Sequence, residues 1–245
     1  MREQHIEKGE VTLVMNTQGP RAGPTLLFLH AGGESRSVWQ PVFARMKPKH
    51  WQLIAPDLRG HGDSSRAREY VLDDFVADGY EIIRRLKGRP LVLVGSSLGG
   101  LMALMLTMQY PLLIDGLVLL DSPTRLSTAA AKWESQKILE GITQQRHLHS
   151  HLDPQLASDQ LLADILSDPE RLSRAAQSVA VPTLFLHGTK SEAVGEIELA
   201  GLRQDIPHVE IERIDAGHLI ARDNPAAVAE KIAAFVPTLV RDTVH

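Results

Sequence analysis

The sequence predicts an α/β fold: a mostly parallel central sheet of about eight strands, helices on both faces, and a helical cap inserted late in the chain. Three observations predict it. Short apolar runs alternate with longer helix-like segments along most of the 245 residues, the pattern of buried parallel strands joined by crossover helices. Between Asp121 and Ala180 that alternation stops and no strand-like run occurs. Finally, Gly95-Ser96-Ser97-Leu98-Gly99 stands between an apolar strand and a helix-like run, the strand–turn–helix context in which a G-x-S-x-G corner presents a serine.

Each element has a local reason. Val11-Thr12-Leu13-Val14 and its approach read as an antiparallel opening. Thr25-Leu26-Leu27-Phe28-Leu29 is a short apolar run of buried-strand type, and Trp51-Gln52-Leu53-Ile54-Ala55 is the next, ended by Pro56. Asp73 to Leu86 has amphipathic helical spacing and is stopped by Gly88 and Pro90. Leu91-Val92-Leu93-Val94 feeds the serine corner. Leu98 to Gln109 is a helix that ends before Pro111. Its near-continuous apolar content, with Met102, Met105 and Met108, suits a helix buried behind the corner. Leu117-Val118-Leu119-Leu120, Pro182 to Leu186 and Val209 to Ile214 complete the strands. Pro225 to Val236 closes the chain as a helix, with Asp223 or Asn224 as N-cap and proline in the first turn.

The strandless region carries three helix-like segments: Thr128 to Arg146, Ser158 to Leu166 and Pro169 to Ser178. Such a length is large for one crossover. The expected organisation is therefore a core domain of residues 1–121 and 181–245, with residues 122–180 as a helical cap.

Composition narrows the function classes. Hydrophobic residues are 43% and charged residues 23%, with a formal charge of −4, as in ordinary soluble globular proteins. No run of arginine and lysine invites nucleic acid. No apolar run approaches a membrane span, and Met1-Arg2-Glu3-Gln4-His5 leads into charge rather than into a signal-peptide core. The expectations are cytoplasmic residence and a small-molecule substrate. The chain has no cysteine, so disulfides, thiolate metal sites and cysteine nucleophiles are excluded. His147, His149 and His151 have two-residue spacing, which fits a solvated polar loop better than a metal site. No metal and no cofactor are expected.

The chemistry centres on Ser97. In a turn this tight, Gly95 and Gly99 relieve crowding, the hydroxyl is lifted clear of the sheet edge, and the Leu98 N–H at the helix start faces a bound carbonyl oxygen. A serine hydroxyl needs a base, a group to orient that base, and oxyanion donors. The base candidate is His218 in Asp215-Ala216-Gly217-His218, between the last strand and the last helix. The oxyanion donors are Leu98 and Gly32, the latter from His30-Ala31-Gly32-Gly33. That glycine pair lets backbone pass close to a substrate oxygen. Neither a G-x-G-x-x-G nor a Gly-Lys-Ser/Thr sequence is present to cradle phosphate.

With these landmarks and Pro56-Asp57-Leu58-Arg59-Gly60-His61-Gly62-Asp63-Ser64, the chain resembles the α/β-hydrolase fold superfamily. The resemblance spans all but the cap and departs at Ala31, where family members commonly have glycine. It implies a Ser-His-acid triad in the order serine, acid, histidine. The acid usually follows the strand spelled here Pro182 to Leu186. That loop, His187-Gly188-Thr189-Lys190-Ser191-Glu192-Ala193, offers Glu192. The alternative is Asp121, at the end of the preceding strand. Asp57 and Arg59 read as loop braces. Trp39 and Trp133 are candidate substrate contacts, each with a packing role as the competing reading. The resemblance implies a carboxylesterase-like hydrolase of small carboxylic esters or related acyl compounds. Triad enzymes acting on lactones, thioesters or C–C bonds, and a slow or inactive ligand receptor of the same fold, stay open.

Overall fold

A computed structural model describes residues 1–21, 23–46, 51–125, 152–157 and 160–241. Its centre is an eight-stranded sheet in the order β1-β2-β4-β3-β5-β6-β7-β8. The strands are β1 (Arg2–Lys8), β2 (Val11–Gln18), β3 (Thr25–Leu29), β4 (Gln52–Pro56), β5 (Leu91–Ser96), β6 (Gly116–Leu120), β7 (Thr183–Gly188) and β8 (Glu210–Ile214). The opening is antiparallel: β1 pairs with β2, and β2 with β4. From β4 across to β8 every pairing is parallel. β1 extends the opening strand further toward the N-terminus than the apolar pattern shows, because it is an edge strand with mostly exposed residues.

The α-helices among the described residues are α1 (Gln40–Met46), α2 (Leu72–Ile83), α3 (Leu98–Gln109), α4 (Gln160–Ser167), α5 (Arg171–Gln177), α6 (Glu196–Asp205), α7 (Ile220–Asp223) and α8 (Pro225–Arg241). They cover both faces of the sheet. Leu27, Leu29, Leu91, Leu93, Leu117 and Leu119 face one core with α2, α3, α5 and α6. Their strand neighbours Leu26, Phe28, Val92, Val94, Val118 and Leu120 face the other, with α1 and α8. This is the two-residue alternation of a strand; it is hidden in the sequence because both faces are apolar. Along α3, the residues from Leu98 to Thr107 are all buried, so the methionine-rich helix is core.

The inserted region is helical where described, in α4, α5 and a 3-10 turn at Pro154–Ala157. Towards its C-terminal end, Leu172, Ala175, Ala176 and Val179 pack in one hydrophobic cluster with α3 and the sheet. The predicted segment 128–146 and Trp133 lie outside the described residues. The start of the insertion is anchored on Asp205 of α6, whose buried carboxylate accepts from Thr124 Oγ1 (2.9 Å), Arg125 (2.7 and 2.9 Å) and Ser173 Oγ (2.9 Å). Asp153 ties the insertion to the loop after β4, accepting from the Tyr70 hydroxyl at 2.6 Å and donating its N–H to the Gly60 carbonyl.

Candidate active site

The carboxyl ends of the parallel strands gather the candidate residues, the edge at which open α/β sheets bind ligands. Gly32 follows β3, Ser97 follows β5, Asp121 follows β6, and His218 follows β8.

Ser97 occupies a backbone corner with φ 48° and ψ −116°. Only Ser97 and Asp121 combine a side chain with positive φ among the described residues. Such a conformation costs about 1–3 kcal/mol and persists where surrounding structure over-determines it. The surroundings here are tight. A Cβ on Gly95 would collide with the Gly99 carbonyl and with Gly100, and one on Gly99 would collide with the carbonyls of Leu29 and His30. The Ser97 carbonyl accepts the N–H groups of Gly100 and Leu101 and so starts α3. Leu98, the first residue of that helix, has an N–H without an intrahelical acceptor.

Asp121 is fully buried. Its Oδ2 lies 2.9 Å from His218 Nδ1 and also accepts the Ser191 hydroxyl. Its Oδ1 lies 3.1 Å from His187 Nδ1 and accepts the Gly188 N–H at 3.1 Å. The His218 side chain is 12% exposed, so its ring is shielded yet open on one side. Of the two acids weighed from sequence, the one on His218 Nδ1 is Asp121 and not Glu192. The physical reason is that β6 carries Asp121 into the gap between β7 and the loop after β8, whereas Glu192 sits on the exposed side of the turn beyond β7.

The loop of Gly32 is held from below by two histidines. The N–H of Gly33 donates to His61 Nε2 at 3.1 Å, and the N–H of Leu58 donates to His30 Nε2 at 3.0 Å. Each ring donates its Nδ1–H to a backbone carbonyl, Ala31 for His30 and Arg59 for His61, at 2.8 Å. Burial lowers His30 from 6.5 to about 4 and His61, with His30 beside it, to about 3. Both are therefore neutral acceptors at ordinary pH. In the same loop Glu34 is 9% exposed. Burial raises its carboxyl from 4.5 to about 7, against the opposing pull of Arg222. Glu34, Arg36, Asp57 and Arg222 line a cavity of about 390 Å³ beside Gly33.

Asp57 and Arg59 are braces. Asp57 accepts from the backbone and guanidinium of Arg36 and from the Asp63 N–H, and Arg59 makes a two-pronged contact with Asp78 at 2.7 and 2.8 Å. Trp39 is fully buried and packs against Phe28 with ring centroids 5.1 Å apart, which fits the packing role weighed beside the substrate contact. Sequence reasoning missed His187, Ser191, His61 and Glu34. The one signal available was the lack of aspartate after β7 beside an aspartate at the end of β6. No group of three or more His, Asp or Glu placed to hold a metal ion occurs among the described residues. No described helix is long and apolar enough to cross a membrane.

With this architecture in view, the chain has the alpha/beta hydrolase fold. Residues 24–139 match the family model described as the alpha/beta hydrolase fold. An uncharacterized protein of Mycobacterium tuberculosis is 32% identical over 102 residues, which is 41% of this chain and 30% of that protein, so the match spans under a third of that relative's length. A 2-(acetamidomethylene)succinate hydrolase of Mesorhizobium japonicum is 26% identical over 270 residues, covering 95% of this chain and 94% of the relative. Among solved structures, an E-2-(acetamidomethylene)succinate hydrolase superposes with a TM-score of 0.82 at 22% identity, covering 96% of this chain and 99% of that one.

Proposed function

We propose that the protein is a serine hydrolase that cleaves a small carboxylic ester or a related acyl compound through an acyl-Ser97 intermediate. The observation that carries the reading is the 2.9 Å contact of His218 Nδ1 with the buried Asp121 carboxylate, which follows the strand next to the one that ends at the strained Ser97 corner. Ser97 Oγ attacks the acyl carbon and its proton passes to His218 Nε2. The Gly32 and Leu98 N–H groups stabilise the oxyanion. The tetrahedral species then expels the leaving alcohol, which takes the proton from His218. Water attacks the acyl-serine, His218 accepts its proton and returns one to Ser97, and the carboxylic acid departs. Asp121 keeps the Nδ1–H tautomer and offsets the charge of the imidazolium.

Support for small acyl compounds comes from the full-length relative named for hydrolysis of 2-(acetamidomethylene)succinate. Core residues 1–121 and 181–245 supply the machinery, and residues 122–180 supply the cap that selects substrate. Turnover of p-nitrophenyl acetate and butyrate tests the reading. Wild type turns over the esters and a fluorophosphonate labels Ser97, whereas Ser97→Ala loses about a thousandfold or more in kcat/KM and all labelling. Equal turnover by the two proteins would sink it. A panel of lactones, thioesters and longer acyl chains then orders the substrate classes.

A further inference from the structure

The carboxylate of Asp121 holds more donors than an acid facing one imidazole requires. His218 and Ser191 share Oδ2, while His187 and the Gly188 N–H share Oδ1. Three of the four donors therefore come from residues 187–191, the end of β7 and the turn beyond it. Nothing in the triad mechanism calls for His187 or Ser191.

The donor directions are fixed by chemistry. Ser191 Oγ already accepts the N–H groups of Ala193 (3.1 Å) and Val194 (3.2 Å). A hydroxyl has two lone pairs and one hydrogen, so its hydrogen goes to Asp121. The His187 ring is buried, with a side chain 7% exposed, and the atom it turns toward Oδ1 is Nδ1. A carboxylate oxygen only accepts, so Nδ1 carries the hydrogen. The same turn also grips the other side of the site. The N–H of Thr189 donates to the Ile214 carbonyl and that of Lys190 to the Ala216 carbonyl, both at 2.9 Å. A Cβ on Gly188 would collide with the carbonyls of Ala216 and Gly217. Residues 187–191 thus touch both the acid and the loop that presents His218.

We propose that the 187–191 turn is a donor cradle that holds an acid borne by the neighbouring strand, with His187 and Ser191 as positioning residues for the reaction. The turn where the family commonly keeps its acid here supplies donors to an acid on β6. The inference rests on the reading of Ser97, His218 and Asp121 as the triad. Hydrogen bonds to a carboxylate, here one buried from His187 and one part-buried from Ser191, are among the stronger ones in proteins. Their loss frees the carboxylate to rotate about its side-chain torsions, and His218 then loses its orientation without any change in the substrate pocket.

The experiment is steady-state kinetics on p-nitrophenyl butyrate with His187→Ala, His187→Asn, Ser191→Ala and Ser191→Thr, beside Ser97→Ala and thermal melting of each. His187→Ala and Ser191→Ala each lower kcat about tenfold or more, with KM within about twofold. His187→Asn, which keeps an N–H near the position of Nδ1, and Ser191→Thr, which keeps the hydroxyl, recover most of that loss. The cradle is overturned by either of two results: wild-type kcat in both alanine variants, or equal losses in the alanine and the conservative variants, which would make bulk rather than the donated hydrogen the cause. Should His187→Ala fail to fold, the Ser191 pair decides alone. Ester turnover surviving in Ser97→Ala would instead remove the triad reading itself. Loss of activity in Ser97→Ala with full activity in His187→Ala and Ser191→Ala removes only the cradle.

Discussion

Two pairs of histidines sit within one site and have opposite surroundings. His30 and His61 lie under the Gly32 loop with ring centroids 5.0 Å apart. Each donates from Nδ1 to a backbone carbonyl and accepts a backbone N–H at Nε2. Both ring nitrogens are consumed, and burial holds the rings neutral. They are struts. His187 and His218 instead turn Nδ1 toward one buried carboxylate. A ring backed by a carboxylate can gain charge at its far nitrogen and stay stabilised. The partner of Nδ1 therefore separates histidines that hold a loop from histidines that engage the candidate acid, and of the latter His218 is the one read as the proton carrier.

The sharpest way to break this contrast is to remove the charge behind the second pair. Asp121→Asn keeps the size of the side chain but presents an amide that can donate to the ring and favour the wrong tautomer. We expect kcat/KM for p-nitrophenyl butyrate to fall about a thousandfold or more, while Glu192→Gln stays within about twofold of wild type. Near-normal turnover in Asp121→Asn together with a collapse in Glu192→Gln would return the acid to the β7 loop and end the comparison.

That choice of acid marks the boundary of what the sequence makes legible. The serine corner is legible because its requirements are local: a strand, two small residues where any Cβ collides, and a helix start. The sheet is legible for the same reason, since runs such as Leu26-Leu27-Phe28-Leu29 have to be buried on both faces. Asp121 and Glu192 are each acceptable at the end of a strand, and local pattern cannot say which reaches a ring on β8's loop. The answer depends on Leu120 pairing with Leu186 and Gly188 with Ile214, which is register between segments far apart in the chain. Trp39 is open in the same way, because a tryptophan after a site loop has the same sequence signature whether it turns toward substrate or toward Phe28, the ring it packs on. The His61 strut is a contact between loops 28 residues apart, and no periodicity records it.

A smaller effect sharpens the other side of the comparison. A histidine lowered from 6.5 to about 3 in the fold binds its proton more readily when unfolded. The unfolded state then holds more protons between those values, so stability is intact above 6.5 and declines as pH falls toward 3. For His61 that decline reaches about 3 kcal/mol by pH 4. His61→Gln offers a side-chain oxygen to the Gly33 N–H but does not titrate. Urea unfolding of the two proteins between pH 4 and pH 7 should show a flatter dependence for His61→Gln. Parallel curves would mean that the ring is not a neutral strut.

The smallest expected effect concerns the acid beside that strut. Glu34 packs in the Gly32 loop with Arg222, Asp223 and His218 facing it, and burial raises its carboxyl from 4.5 to about 7. Here the folded state holds the proton longer than the unfolded state does. Stability associated with the group is present below 4.5 and is lost as pH rises through 7, the reverse of the His61 case. The pKa difference caps the loss at about 3 kcal/mol. Because Glu34→Gln keeps the shape and removes the ionisation, we expect it to gain about 1–2 kcal/mol over wild type at pH 8 and to match it at pH 5. A gain of equal size at both pH values would trace the effect to packing. A loss at pH 8 would show instead that the loop depends on the Glu34 charge facing Arg222, placing Glu34 with the ionised group behind His218 rather than with the neutral struts.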